Sequence, residues 1–274
     1  MTVLLTGITG NLGYEVAHDL MRRGVNVIPC IRPRTDASVP LRPGTFPEVV
    51  TCDLAEERDI PFSGILDGIV HCAGVVHFRT ASNRNERMMR SVISLAQRMK
   101  VPLYAVSTAF VYRPPGTSTR FNNDYEEDKF KSEQLLIASG LPATLFRPSV
   151  LTGNSRTGAI RNFSGFYFIV QEFLNAIAAS QAKDRVVRFP RMTGESNMVP
   201  VDQAAQHIGA AVQDGRRGLF YLTNPSPPRS EWVLDEVLTF FGVRDRVTIL
   251  DLSFAEYGKL KLTEAEAALY RFSS

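Results

Sequence analysis

Thr6-Gly7-Ile8-Thr9-Gly10-Asn11-Leu12-Gly13 follows the aliphatic run Val3-Leu4-Leu5 and opens a stretch of helical period over residues 12–23. Glycines at 7, 10 and 13 between a strand and a helix make a tight turn whose backbone can approach an anion, and the helix N-terminus adds partial positive charge. The spacing is GxxGxxG rather than GxGxxG, and the alternative is a tight turn that holds nothing. In its strand–turn–helix context this octapeptide predicts the first unit of a dinucleotide-binding α/β fold.

Outward from the turn, Val25-Asn26-Val27-Ile28, Val49-Val50, Gly68-Ile69-Val70, Leu103-Tyr104-Ala105-Val106 and Thr144-Leu145-Phe146 read as strands, and residues 85–99 and 124–138 as helices. Such alternation predicts a Rossmann-type doubly wound parallel sheet covered on both faces. Residues 53–67 are too few and too Pro/Gly-punctuated for a full helix, so one crossover is expected to be abbreviated. After Arg147-Pro148-Ser149 the rhythm breaks. Residues 1–150 are read as the dinucleotide-binding domain, with elements returning near 198–222, and residues 151–274 as mainly a smaller substrate-binding region. Within it, residues 163–179 read as a helix and Met198-Val199-Pro200-Val201 as a strand running into a helix N-capped by Asp202 and ending at Gln213. Leu219-Phe220-Tyr221-Leu222 reads as a strand and residues 263–271 as a helix. The chain stops soon after, which is read evenly as a frayed terminus or a shortened chain.

A chain of 274 residues, 44% of them hydrophobic, can bury a sizeable core. Its 31 basic and 28 acidic residues leave a formal charge of +3 with no block of like charge, which argues against a nucleic-acid partner. Cys30, Cys52 and Cys72 show neither CxxC nor Cys/His spacing, so buried free thiols are expected and no metal site. No apolar run reaches the roughly 20 residues of a membrane span, and the start lacks a signal-peptide pattern. A cytoplasmic protein without a membrane span is the expectation.

Open α/β sheets bind ligands beyond the carboxyl ends of their strands. On that rule Gly7, Thr9, Gly10, Asn11, Leu12 and Gly13 cradle the pyrophosphate. Arg32 and Arg34 follow the second strand with no carboxylate before Asp36, favouring the 2′-phosphate of NADP(H) over NAD(H); solvated arginines are the alternative. Asp53 suits the adenine, Ala73 and Gly74 the cofactor backbone, and His71 a satisfied core position. In Tyr125-Glu126-Glu127-Asp128-Lys129 a phenol and an ammonium share one helix face, where the cation can make the phenol acidic; a solvated pair is the alternative.

Taken together, these motifs resemble the extended short-chain dehydrogenase/reductase family. The glycine turn is similar to its TGxxGxxG, Asp53-Leu54 to its adenine-side DL, Val106-Ser107-Thr108-Ala109-Phe110-Val111-Tyr112 to its strand-five ST segment, Tyr125 and Lys129 to its YxxxK, and Arg147-Pro148-Ser149 to its RPxxV. The thioester reductase and fatty-acyl reductase branch is the closest, through Val70-His71-Cys72-Ala73-Gly74-Val75-Val76-His77-Phe78, Phe121-Asn122-Asn123-Asp124-Tyr125-Glu126-Glu127-Asp128-Lys129 and Thr152-Gly153-Asn154-Ser155-Arg156-Thr157-Gly158. Three features depart from the pattern. Asp128 stands where Ser is often found, Met88-Met89 replaces Gly-Thr after Asn85, and the interval from Thr108 to Tyr125 is short.

The resemblance implies a triad of Thr108, Tyr125 and Lys129, with Asn85 positioning Lys129 or a water. Tyr125 would protonate a carbonyl oxygen as hydride arrives, its phenolate stabilised by Lys129 and the nicotinamide ribose. Leu54, Val75, Lys129, Pro148 and Ser149 would contact the cofactor. Ser155, Arg156 and Thr157 would meet a polar substrate or form an ordinary loop, and Phe163, Phe166, Tyr167, Phe168 and Phe173 would line an apolar pocket or pack as core. The implied activity is NADPH-dependent reduction of a carbonyl or acyl thioester, small-molecule or carrier-bound. A nucleotide-sugar epimerase, dehydratase or reductase with bound NAD(P) is the second reading, and a non-catalytic dinucleotide sensor the third. A homodimer through residues 85–99 and 124–138 is compatible with the family.

Overall fold

The computed structural model describes all residues except 34–45, 57–58, 77–82, 115–119, 184 and 274, and no side chain of 271–273. Arg34, Asp36, His77 and Phe78 therefore lie outside the described residues. The elements in chain order are β1 (Thr2–Thr6), α1 (Asn11–Arg22), β2 (Asn26–Ile31), β3 (Val50–Thr51), β4 (Gly68–His71), α2 (Arg84–Met99), β5 (Leu103–Val106), α3 (Asp124–Ala138), β6 (Ala143–Pro148), β7 (Val150–Thr152), α4 (Phe166–Gln181), β8 (Val187–Pro190), β9 (Met198–Pro200), α5 (Val201–Gln213), β10 (Gly218–Leu222), α6 (Ser230–Phe240), β11 (Val247–Leu250), α7 (Phe254–Tyr257) and α8 (Glu264–Ser273).

Seven strands form one parallel sheet in the order β3-β2-β1-β4-β5-β6-β10. All four residues of β4 and of β5 are buried, as a sheet covered on both faces requires. Alternation along β1 divides the core: Val3 and Leu5 pack with Val16 and Leu20 of α1 and Ala204 and Ile208 of α5, while Leu4 packs with Val92 and Leu95 of α2 and Leu136 of α3. Each such Val or Leu contributes roughly 1.5–3 kcal/mol by leaving water, so the two layers hold the sheet between them. The Rossmann-type doubly wound expectation is met.

Between β3 and β4 no helix is found among the described residues. Ile60, Phe62 and Leu66 fill the second core layer directly from this irregular link. The strand order reverses between β1 and β4, so the glycine turn after β1 stands at the switch point where such sheets bind ligands.

One sequence expectation needs correction. Asp202 is not an N-cap: α5 already begins at Val201, its cap position is Pro200, and the Asp202 carboxylate accepts from the Ser155 amide (2.8 Å) and hydroxyl (2.7 Å). Proline fixes its own backbone ahead of the first turn and leaves the acid free to bind a distant loop.

The chain divides into two compact units, residues 1–162 with 199–223, and residues 163–198 with 224–274. The second has its own core of Phe173, Ile177, Val187, Phe189, Leu238 and Leu269, with β8 and β11 pairing in parallel. Of the aromatic stripe, only Phe173 is core; Phe163 and Phe168 are exposed.

Candidate active site

Everything that follows lies in the first unit, mostly at the carboxyl ends of β1 to β6. Gly7 has φ +78°, and a Cβ there would come within 2.6 Å of the Cys72 carbonyl carbon, so only glycine lets the turn close against the end of β4. A Cβ on Gly13 would sit 2.5 Å from the Gly7 carbonyl carbon, which explains the last glycine as the contact of α1 with its own turn. The Gly10 amide donates to the Gly7 carbonyl (2.9 Å) and α1 begins at Asn11 with no acidic residue in its first turn. Unpaired amides and the dipole there suit an anion. The Asn11 side chain accepts from the amides of Arg161 (3.1 Å) and Asn162 (2.8 Å), and Asn162 Nδ2 donates to the Thr9 carbonyl (3.0 Å). Thr9 and Asn11 therefore tie residues 161–162 to the turn, while Leu12 is core.

Arg32 is exposed just beyond β2. The Asp53 carboxylate accepts from the Ala55 amide (3.0 Å) and lies 3.8 Å from the Arg84 guanidinium; Leu54 is buried in the second core layer. Beyond β4, Val75 is clasped at both backbone atoms by Asn85, whose Oδ1 accepts from the Val75 amide (2.9 Å) and whose Nδ2 donates to its carbonyl (3.1 Å). Cβ atoms built on Gly74 would lie 3.5 Å from Asn85 Oδ1 and 3.8 Å from Lys129 Nζ, so Gly74, Asn85 and Lys129 share one space. Pro148 closes β6, and the Ser149 amide donates to the Leu222 carbonyl of β10 (3.0 Å).

Thr108 and Tyr125 meet through their side-chain hydroxyls. Asn123 caps α3, its Oδ1 accepting from the Glu126 amide (2.9 Å), and so sets where Tyr125 leaves the first turn. Burial outweighs the bond with Thr108 and, with Glu126 and Asp128 nearby, pushes the phenol up to about 12. This corrects the expectation of an acidified phenol. Lys129 turns its ammonium onto the Val106 carbonyl (2.8 Å) instead, and Tyr125 stays a proton-bearing acid.

Lys129 is itself buried, which pulls it down to about 8 against the opposing charges of Glu133 and Asp128. Glu133 is held by Arg147 (Nε to Oε1 3.0 Å), and Arg147 also donates to the Tyr221 hydroxyl (2.6 Å). His71 shares a hydrogen bond with Thr6 Oγ1 (2.8 Å), and burial, helped by Lys129, drives it down to about 3, so it stays neutral.

Three residues escaped the sequence reading. Ser107 has a buried hydroxyl with no hydrogen-bond partner among the described residues, beside Thr108 at the strand end where a ligand amide or carbonyl could satisfy it. Glu133 carried no local signal and the local signal of Asp202 pointed to a cap instead, because the partners that bury their charge, Arg147 and Ser155, come from other parts of the chain. Of the proposed substrate contacts, Ser155 gives its hydroxyl to Asp202, holding that carboxyl below its usual range despite burial; Arg156 and Thr157 are exposed. An orphaned hydroxyl, a glycine cradle and an acid-free helix start together fit a dinucleotide.

The family model described as male sterility protein matches residues 54–208. The polyketide synthase–nonribosomal peptide synthetase hybrid himA of Aspergillus japonicus is 25% identical over 282 aligned residues, covering 85% of this chain; the chain spans 7% of that relative's length. Among solved structures, the terminal R domain from the myxalamid PKS-NRPS biosynthetic pathway shares 22% identity with a TM-score of 0.72, over 100% of this chain and 78% of that one. UDP-N-acetylglucosamine 4-epimerase from Bacillus cereus shares 17% identity with a TM-score of 0.62, over 99% of this chain and 94% of that one.

Proposed function

The chain belongs to the male sterility protein family, within the extended short-chain dehydrogenases/reductases, and on that premise we propose that it reduces a carbonyl or acyl thioester with NADPH. The observation that supports this best is the Thr108–Tyr125 contact, one helical turn from a buried Lys129 and on the same sheet edge as the glycine turn. Gly7 to Gly13 would hold the pyrophosphate, Arg32 the 2′-phosphate, and Gly74, Val75 and Lys129 the nicotinamide end.

Bound there, the dinucleotide supplies hydride. Tyr125 Oη donates its proton to the substrate oxygen as the carbonyl carbon is reduced, which requires the protonated phenol that burial maintains. Thr108 Oγ1 donates to the same oxygen and helps fix its direction. A reduced thioester then loses its thiol to leave an aldehyde. Because himA is a polyketide synthase–nonribosomal peptide synthetase hybrid, a carrier-bound acyl thioester in the cytoplasm is the favoured substrate. No helix among the described residues is long and apolar enough to cross a membrane.

The test follows NADPH consumption with matched acyl thioesters, aldehydes and ketones, with NADH for comparison. Tyr125→Phe is expected to lower kcat by about 10²–10⁴-fold while leaving the Kd for NADPH unchanged. Consumption that does not depend on Tyr125 would refute the proposed acid. A cofactor that copurifies and survives turnover would favour the nucleotide-sugar reading.

A further inference from the structure

Asp128 departs from the reductase pattern, and its surroundings show why a carboxylate is there. It lies buried on α3, next to Lys129 in sequence, with both oxygens aimed at α2. Oδ2 accepts from the Asn85 amide (3.1 Å) and from Asn85 Nδ2 (2.9 Å), and Oδ1 accepts from the Glu86 amide (3.1 Å). The cap position of α2, Asn83, makes no side-chain bond to its helix. Asp128 thus caps α2 from a different helix, where negative charge is also favoured by the dipole. A serine has one oxygen and no charge, so it could not span both amides and the carboxamide.

The consequence runs further than the cap. The carboxamide that Asp128 holds is the one that clasps Val75 at both backbone atoms, and Gly74 stands between that carboxamide and the Lys129 ammonium. Asn85 was expected to position Lys129 or a water, but it bonds to Val75 and Asp128. We infer that Asp128 is a positioning residue: through Asn85 it holds loop 73–75, the part of the site that would carry the nicotinamide end of the dinucleotide, in register with Lys129. This rests on the dinucleotide reading above.

The test uses Asp128→Asn and Asp128→Ser in the full chain. Amide hydrogen exchange without dinucleotide reads the clasp, and fluorescence titration with NADPH reads its use. In Asp128→Asn, one oxygen becomes a donor facing an N–H, so exchange at Asn85, Glu86 and Val75 is expected to speed up about tenfold or more, while the β5 amides keep their protection. The Kd for NADPH should rise about tenfold, with Asp128→Ser between the two. Should Asp128→Asn fail to fold, Asp128→Ser carries the same comparison. Faster exchange confined to Asn85 and Glu86, with Val75 protected and the Kd unchanged, would reduce Asp128 to a helix cap and overturn the inference. If the wild type does not take up NADPH, the functional reading fails on its own, and protection of Val75 still decides whether the clasp depends on Asp128.

Discussion

Replacing Lys129 by Met should separate stability from activity with opposite signs in pH. The ammonium is buried, and burial pulls it down to about 8 in the fold from the ordinary lysine value of 10.5. Between those values the unfolded chain binds a proton that the native chain has lost, so native stability rises with pH across that window. The native state therefore carries a penalty of about 3 kcal/mol at pH 7 that fades towards pH 10.5. Met cannot titrate, and the difference between wild type and Lys129→Met isolates this group from every other. That difference should climb in favour of the wild type by about 2–3 kcal/mol between pH 7 and pH 10. At roughly 2–4 °C per kcal/mol for a unit of this size, the gap in Tm moves by about 5–10 °C. Far-UV circular dichroism melts of both proteins at pH 7, 8, 9 and 10 measure it. Over the same range kcat/KM of the wild type should fall as pH passes about 8, because the charged form is the stronger donor to a ribose hydroxyl and the one that stabilises negative charge developing on Tyr125. Parallel melting curves across all four pH values would show that Lys129 titrates normally and that its buried setting has been misjudged.

Gly13→Ala pushes a methyl into the Gly7 carbonyl, an overpacking cost of about 1–3 kcal/mol or more, and should lower Tm by several degrees and abolish NADPH binding in a fluorescence titration. Gly10→Ala should be milder, since a Cβ there stands 3.3 Å from the Gly7 oxygen. Arg147→Met leaves Glu133, 1% exposed, without its guanidinium and should cost about 3–5 kcal/mol by urea denaturation, with partial recovery in the double variant that adds Glu133→Gln. Arg32→Gln should weaken NADPH by roughly 10–100-fold while sparing NADH, as loss of a charge-assisted bond to the 2′-phosphate requires. Calorimetric titrations in which both cofactors weaken equally would remove Arg32 from that role.

How much of this was legible in the chain depended on distance along it. The strand–helix alternation, the abbreviated link before β4 and the close approach of Gly13 to Gly7 all follow from residues within a few positions of one another. So does the pairing of Tyr125 with Lys129 on one face of α3. The demand for glycine at position 7, by contrast, comes from Cys72, far away in sequence. Pro200 and Asp202 show the limit even at short range: Asp202 was read as a cap because it preceded a helical period, yet Pro200 starts the helix earlier and Ser155, far away in sequence, claims the acid.

The amino-acid sequence by itself determined the parallel sheet and which residues stand at its carboxyl edge, since hydrophobic periodicity and turn chemistry are local properties. Only the tertiary structure decided what those residues are chemically. Strand order brings Val106 beneath Lys129, Asn85 against Val75 and Asp128 onto α2, and burial then sets Tyr125 high, Lys129 low and His71 neutral. Proton affinity is a property of the surrounding dielectric and of charges contributed by other elements, and neither exists until the chain has folded.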